Sequence, residues 1–323
     1  MVGIAAAGAW QLSRAALSTK ADLIYIGKPH PMNSLAGLAA KYLRGKPICL
    51  DCDDYEAASG NFGAGWQRAV VSFFERRIPR QARLVTTNTR FLQEKLISWG
   101  APAGRVFYLP NGVDRGRFQT PDPARLSALR QRLDLEGRPV VLYLGSMSLA
   151  NHAVDLLLEA FARLLAACPQ AVLLMVGGGE DLQRLQRQSQ ALGIEPAVRW
   201  AGRVPPEQAV NYYHLAQVSV DPVHDNDACR GRSPLKMFES WACGTPFVSA
   251  AVGDREALAG SPPAALLAKP GDAASLSLAI LQALNDRPTA EALRQRGLEI
   301  VGAYYWDRLA QEAEGFLKEF GVK

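Results

Sequence analysis

Four side chains close together in the chain suggest one kind of chemistry: Arg230, Arg232, Lys236 and Glu239, in the stretch CRGRSPLKMFESWACG from Cys229 to Gly244. Ser233 is a favoured helix N-cap residue, and Pro234 sits where proline is best tolerated, at the first helical position. Gly244 stands where a helix C-terminus wants glycine, with Pro246 soon after. These signals predict a helix of about ten residues. Its N-terminus leaves backbone N–H groups unbonded and carries the positive end of the dipole. Cations at that end oppose the helix itself, so Arg230, Arg232, Ser233 and Lys236 call for a bound anion. Glu239 shares the face of Lys236, about one turn deeper. The set reads as a phosphate site with a hydroxyl-binding carboxylate beside it.

Other candidates are weaker. Asp53 and Asp54 follow the apolar run Pro47–Asp51 and suit either a reactive edge or loop capping. Gly177, Gly178 and Gly179 follow another apolar run, but their spacing is not G-x-G-x-x-G and implies no dinucleotide. His152 lies in a loop and is a candidate phosphate contact, whereas His30 and His214 read as structural. Cys49-Leu-Asp-Cys52 has no second pair to complete a zinc site, so buried strand thiols are the better reading. The five scattered cysteines suit reduced thiols and a cytoplasmic setting.

The elements that must position these groups follow from size and pattern. A chain of 323 residues has room for two domains, and 48% hydrophobic with 21% charged residues is a globular composition. A net charge of +5 suits phosphate-bearing small molecules or an anionic lipid surface, and without a basic run it argues against nucleic acid. The apolar opening residues lack a basic flank and read neither as a signal peptide nor as a membrane span. The segment Trp66–Arg80 sets Trp66, Phe73 and Phe74 beside arginines, a pattern suited to peripheral contact with a membrane.

Short apolar strands alternate with amphipathic helices along the whole chain, which predicts parallel sheets covered on both faces. The helix Val154–Ala167 is the clearest, with Val154, Leu157, Leu158, Phe161, Leu164 and Leu165 on one side. A Pro- and charge-rich stretch, 120–138, marks a boundary. The fold class is therefore α/β, with two Rossmann-like doubly wound domains facing a cleft. Residues 1–138 are expected to form the N-terminal domain and 139–302 the C-terminal one. A terminal helix, 303–323, packs back on the first.

The second half resembles the retaining glycosyltransferases of family 4, which have the GT-B architecture. PNGVD at 110–114, VDLLLEAFARL at 154–164, LLMVGGGED at 173–181 and GRVP at 202–205 carry the resemblance, in the family's order. SPLKMFESWACGTPFVS at 233–249 is the most specific match, and VGDRE at 252–256 follows it. The resemblance implies sugar transfer from a nucleotide donor with retention. It makes Glu239 the second glutamate of an E-x7-E motif, bonded to ribose hydroxyls, and Lys236 a diphosphate contact. Gly178, Gly202 and Val204 would border the ribose and base, while Asp53 and Asp54 would stand near the reacting sugar.

The chain departs from the family in three places. Gly231 occupies the position of the first glutamate. Ser146 and His152 stand where an arginine and a lysine are usual, so Arg230, Arg232 and Lys236 are expected to supply the cations. The family's opening strand and glycine-rich loop have no counterpart before Asp22, which implies an incomplete N-terminal domain. The reading that results is a metal-independent, cofactor-free glycosyltransferase acting on a glycan or lipid-linked acceptor in cell-surface polysaccharide synthesis, at the inner face of the membrane. A non-catalytic nucleotide-sugar-binding subunit or inactive homologue stays open as the alternative. A nicotinamide-dependent oxidoreductase is disfavoured by the missing glycine fingerprint.

Overall fold

The structure, a computed structural model, describes residues 2–59, 62 and 64–321. By contacts the chain falls into two compact units: Met1–Pro110, Arg230–Ser233 and Leu309–Lys323 in one, Asn111–Cys229 and Pro234–Arg308 in the other. The stretch 111–138 therefore belongs with the second unit. Val113 bridges Tyr305, Phe118 packs near Tyr213, and the Arg130 guanidinium donates to the Leu215 carbonyl at 3.1 Å.

The first unit is built on four parallel strands, β1 (Ile24–Gly27), β2 (Ile48–Cys52), β3 (Leu84–Thr87) and β4 (Val106–Tyr108), in the order β1-β2-β3-β4. Its core joins Ile26, Ile48, Leu50, Val85 and Val106 to Ile78, Leu92 and Leu96 from the helices Gly65–Gln81 and Arg90–Ser98. Thr89 caps the latter, accepting the Leu92 N–H at 3.1 Å. The helix Pro31–Arg44 has Pro31 in its first turn, where a proline is tolerated, and Gly45 closes it at φ 66°. The helix Val2–Ser18 packs on it and leaves Trp10 69% exposed. Phe316, from the helix Trp306–Glu319, stacks on Phe107 at 4.5 Å.

The second unit holds six parallel strands: β5 (Val140–Ser146), β6 (Val172–Gly178), β7 (Val198–Gly202), β8 (Val218–Val220), β9 (Phe247–Ala250) and β10 (Leu266–Ala268). Their order is β10-β9-β8-β5-β6-β7. β5, first in the chain, has β6 on one side and β8 on the other. The β5/β8 border is thus the topological switch point, where open parallel sheets bind ligands beyond their carboxyl ends. Strand residues alternate between two cores, as a sheet buried on both faces requires. Val141 and Tyr143 pack with Leu157 and Phe161 of the helix Val154–Leu165, whereas Val140 and Leu142 pack with Met237, Phe238 and Trp241.

At the carboxyl ends of β5 and β6 the backbones draw together. Gly145 pairs with Gly177, and a Cβ on Gly177 would run into the Gly145 carbonyl. Gly177 also holds φ at 131°, which L side chains rarely adopt. Gly177→Ala should therefore destabilise the unit by about 2 kcal/mol or more. A thermal melt would show this as a midpoint several degrees lower, and an unchanged midpoint would contradict it.

Candidate active site

The helix singled out by sequence runs Leu235–Ala242, later and shorter than predicted. Pro234, not Ser233, occupies the N-cap position. Its ψ of 71° is not helical, although its carbonyl accepts the Met237 N–H at 2.9 Å. Gly244 ends the helix as expected, at φ 63°, its N–H bonded to the Trp241 carbonyl at 3.0 Å. Met237, Phe238 and Trp241 face the core, and the indole N–H of Trp241 donates to the Ala264 carbonyl at 2.9 Å. Phe238 stacks on Tyr304 at 4.4 Å. This packing fixes the directions in which Lys236 and Glu239 point.

Lys236 reaches the switch point. Its ammonium donates to Asp221 Oδ1 at 2.9 Å, just beyond the end of β8, and lies 5.4 Å from the centre of the Tyr143 ring. A Cβ on Gly145 would come within 2.6 Å of Lys236 Cε, so the glycine makes room for the stem. Asp221 is buried, and its other oxygen accepts from Arg255 Nη2, also at 2.9 Å. Burial alone would raise the Asp221 pKa. The charges of Lys236 and Arg255, and their hydrogen bonds, outweigh it and hold the carboxyl well below the usual range.

Glu239 is buried as well. The Tyr213 hydroxyl donates to Oε2 at 2.8 Å and Arg117 Nη2 to Oε1 at 3.3 Å. Burial nevertheless leaves its pKa raised. Ser146 and Gly178 end β5 and β6 and line a cleft of about 350 Å³ with Gly145, Gly177, Arg203 and Val204. Gly202 ends β7 beside it. Lys236, Ser146, Gly178, Gly202, Val204 and Glu239 all belong to the second unit.

The His152 backbone N–H donates to the Ser148 carbonyl at 2.9 Å, and the Ser148 hydroxyl donates to Glu180. Arg230 closes the short helix Asp227–Arg230, and Arg230, Arg232 and Ser233 group with the first unit. There Arg232 Nε is 3.9 Å from Asp54 Oδ1. Asp53, Asp54 and Glu56 form the one cluster, among the described residues, close enough to share a cation. The Lys28 ammonium stands among them, at 3.2, 3.0 and 2.6 Å from the three carboxylates.

Sequence reading missed Asp221, Arg255, Arg117, Tyr213 and Lys28. Asp221 did leave a signal, a carboxylate ending the apolar run Val218–Val220. Arg117 and Tyr213 left none, since only the fold sets them against a residue so distant in the chain. Glu75 was also missed. It is buried in the helix Gly65–Gln81 and accepts the N–H groups of Glu56 and Ala57 at 2.7 and 3.1 Å, holding the loop behind Asp53 and Asp54.

A profile for "Glycosyl transferases group 1" matches residues 138–286, and one for "Glycosyl transferase 4-like domain" matches residues 4–112. The chain belongs to the group 1, family 4 glycosyltransferases. It is 30% identical, over 72% of its length and 59% of the relative's, to the GDP-mannose-dependent alpha-(1-6)-phosphatidylinositol monomannoside mannosyltransferase of Mycolicibacterium smegmatis. It is 32% identical, over 75% of its length and 53% of the relative's, to the D-inositol 3-phosphate glycosyltransferase of Geodermatophilus obscurus. The match thus spans little more than half of either relative. Among solved structures, Anabaena HepE in complex with UDP and glucose superposes with a TM-score of 0.78 at 22% identity, over 95% of this chain and 80% of that one. Sucrose-phosphate synthase from Thermosynechococcus elongatus gives 0.76 at 23%, over 98% and 78%. The fold they share is GT-B.

Burial, against the two backbone hydrogen bonds, pushes the Glu75 carboxyl up to about 7. A carboxyl raised in the folded state favours the protonated form there. Its contribution is therefore complete below the unfolded value near 4.5 and is lost as pH rises through about 7. Urea midpoints from pH 4.5 to 8 should fall more steeply for the wild type than for Glu75→Gln, and parallel curves would count against the assignment.

Proposed function

We propose that this chain transfers a sugar, with retention, from a nucleoside diphosphate donor to a lipid-linked or inositol-bearing acceptor, without a metal. The observation that carries the reading is Lys236, held at the β5/β8 switch point with Glu239 deeper on the same helix. As the glycosidic bond breaks, negative charge gathers on the leaving diphosphate. A fixed ammonium and a helix N-terminus favour that charge more than the ground state. Glu239, oriented by Tyr213 and Arg117, accepts ribose hydroxyls, and the cleft at Ser146, Gly178 and Val204 takes the rest of the donor. The acceptor class rests on the relatives, whose names give phosphatidylinositol monomannoside and D-inositol 3-phosphate. Asp53, Asp54, Arg230, Arg232 and Ser233 are assigned to the reacting sugar and the diphosphate, and His152 to an outer phosphate contact.

No described helix is long and apolar enough to cross a membrane. The helix Gly65–Gln81, however, exposes Trp66, Val70 and Phe73 in one stripe with Arg77, whose guanidinium lies 5.3 Å from the Phe73 ring. Its sole carboxylate, Glu75, is buried and bonded to backbone. A basic, aromatic, carboxylate-free face suits the anionic inner surface of a membrane.

Gly231 in place of the family's first glutamate favours one other reading, a subunit that binds nucleotide sugar without turning it over. Turnover with GDP- and UDP-sugars separates the two. Lys236→Ala should weaken GDP or UDP binding by calorimetry about tenfold or more, the scale of one charge-assisted contact. Unchanged affinity would remove Lys236 from the site. Glu239→Gln should cut transfer sharply, and chelator should leave it intact; a strict divalent-ion requirement would overturn the metal-free step. Trp66→Ser with Phe73→Ser should abolish sedimentation with phosphatidylglycerol vesicles, and retained binding would refute the membrane contact.

A further inference from the structure

Lys236 belongs to a group of three charges of which the other two, Asp221 and Arg255, are buried, and the arithmetic of that group has a functional meaning. Asp221 divides its carboxylate between Lys236 Nζ and Arg255 Nη2, each at 2.9 Å. Arg255 is 2% exposed, too deep to meet a ligand, whereas the Lys236 side chain is 17% exposed. Arg255 Nε has no hydrogen-bond partner, and one of its amino groups donates to the Val252 carbonyl at 3.3 Å. A buried arginine left partly unsatisfied is costly, so its retention for packing alone is poorly explained.

With Asp221 alone, Lys236 would be neutralised where it stands. With Arg255 present, one anion faces two cations and the group keeps a net positive charge beside Gly145, at the carboxyl end of β5. We infer that Asp221 and Arg255 are positioning residues for the donor diphosphate. Asp221 fixes where the Lys236 ammonium sits, and Arg255 offsets the Asp221 charge so that Lys236 presents its own to the ligand. This rests on the sugar-transfer reading and adds what makes its lysine effective.

Three variants test it, with calorimetry using UDP and GDP against uridine and guanosine, and steady-state kinetics. Arg255→Gln leaves Lys236 and Asp221 cancelling, and should lower nucleoside diphosphate affinity about tenfold while sparing the nucleosides. Asp221→Asn leaves two cations; diphosphate affinity should hold or rise, with a steeper salt dependence, while kcat falls about tenfold or more because the ammonium is no longer placed. Asp221→Asn with Arg255→Gln returns the group to a single positive charge. It should bind diphosphate more tightly than Arg255→Gln alone, a rescue that a purely structural arginine would not give. Equal losses for nucleoside and diphosphate, or a double variant no better than the single, would overturn the inference and leave the sugar-transfer reading standing. If the wild type binds neither UDP nor GDP, that reading falls and this one with it.

Discussion

A carboxylate kept from water must be matched by positive charge, and Asp221 is the place where this chain meets that demand. Desolvating a lone carboxylate at the switch point would cost several kcal/mol or displace its pKa until it took a proton. Here two cations approach from different elements, Lys236 from the helix Leu235–Ala242 and Arg255 from the helix Arg255–Ala259. Both helices must keep their places for the anion to survive, so the local fold and the local charge are set together. The same arrangement holds a lysine next to a glycine-lined strand end.

Glu239 solves a related problem in another way. Its partners are a phenol and one arginine, and burial keeps its pKa above the ordinary value. Such a carboxylate is oriented without being strongly held as an anion, and in the proposed reading it accepts hydrogen bonds from ribose hydroxyls. In turn the Tyr213 phenol, raised well above its usual pKa chiefly by burial, stays a donor. The two carboxylates thus have different characters, one locked ionised by two cations and one kept above its ordinary pKa by burial.

Much of this was legible in the chain. Short continuous apolar runs located the strands, and the amphipathic period of Val154–Leu165 located its helix, because burial against a sheet writes itself into the sequence pattern. The key helix was announced by Ser233, Pro234 and Gly244. Its start was misjudged because Pro234 adopts a turn in place of the first helical residue, a choice made by local backbone geometry that residue type does not encode. Lys236 and Glu239 were singled out through their places on that helix, which the structure contains. Asp221 and Arg255 were not, since their meaning comes from a pairing across three elements distant in sequence. Within the basic set at 230–236, Arg232 turns to Asp54 and Lys236 to Asp221. Adjacency along a loop does not determine where long side chains end.

The tether made by Glu75 joins two features that sequence spacing keeps apart. One face of the helix Gly65–Gln81 bears Trp66 and Phe73, and the opposite face grips the amides of Glu56 and Ala57. Glu56 in turn bonds Lys28, around which Asp53 and Asp54 gather. A tilt of that helix is therefore a lever on the acidic loop, and whatever rests against its aromatic side also loads the carboxylates at the far end.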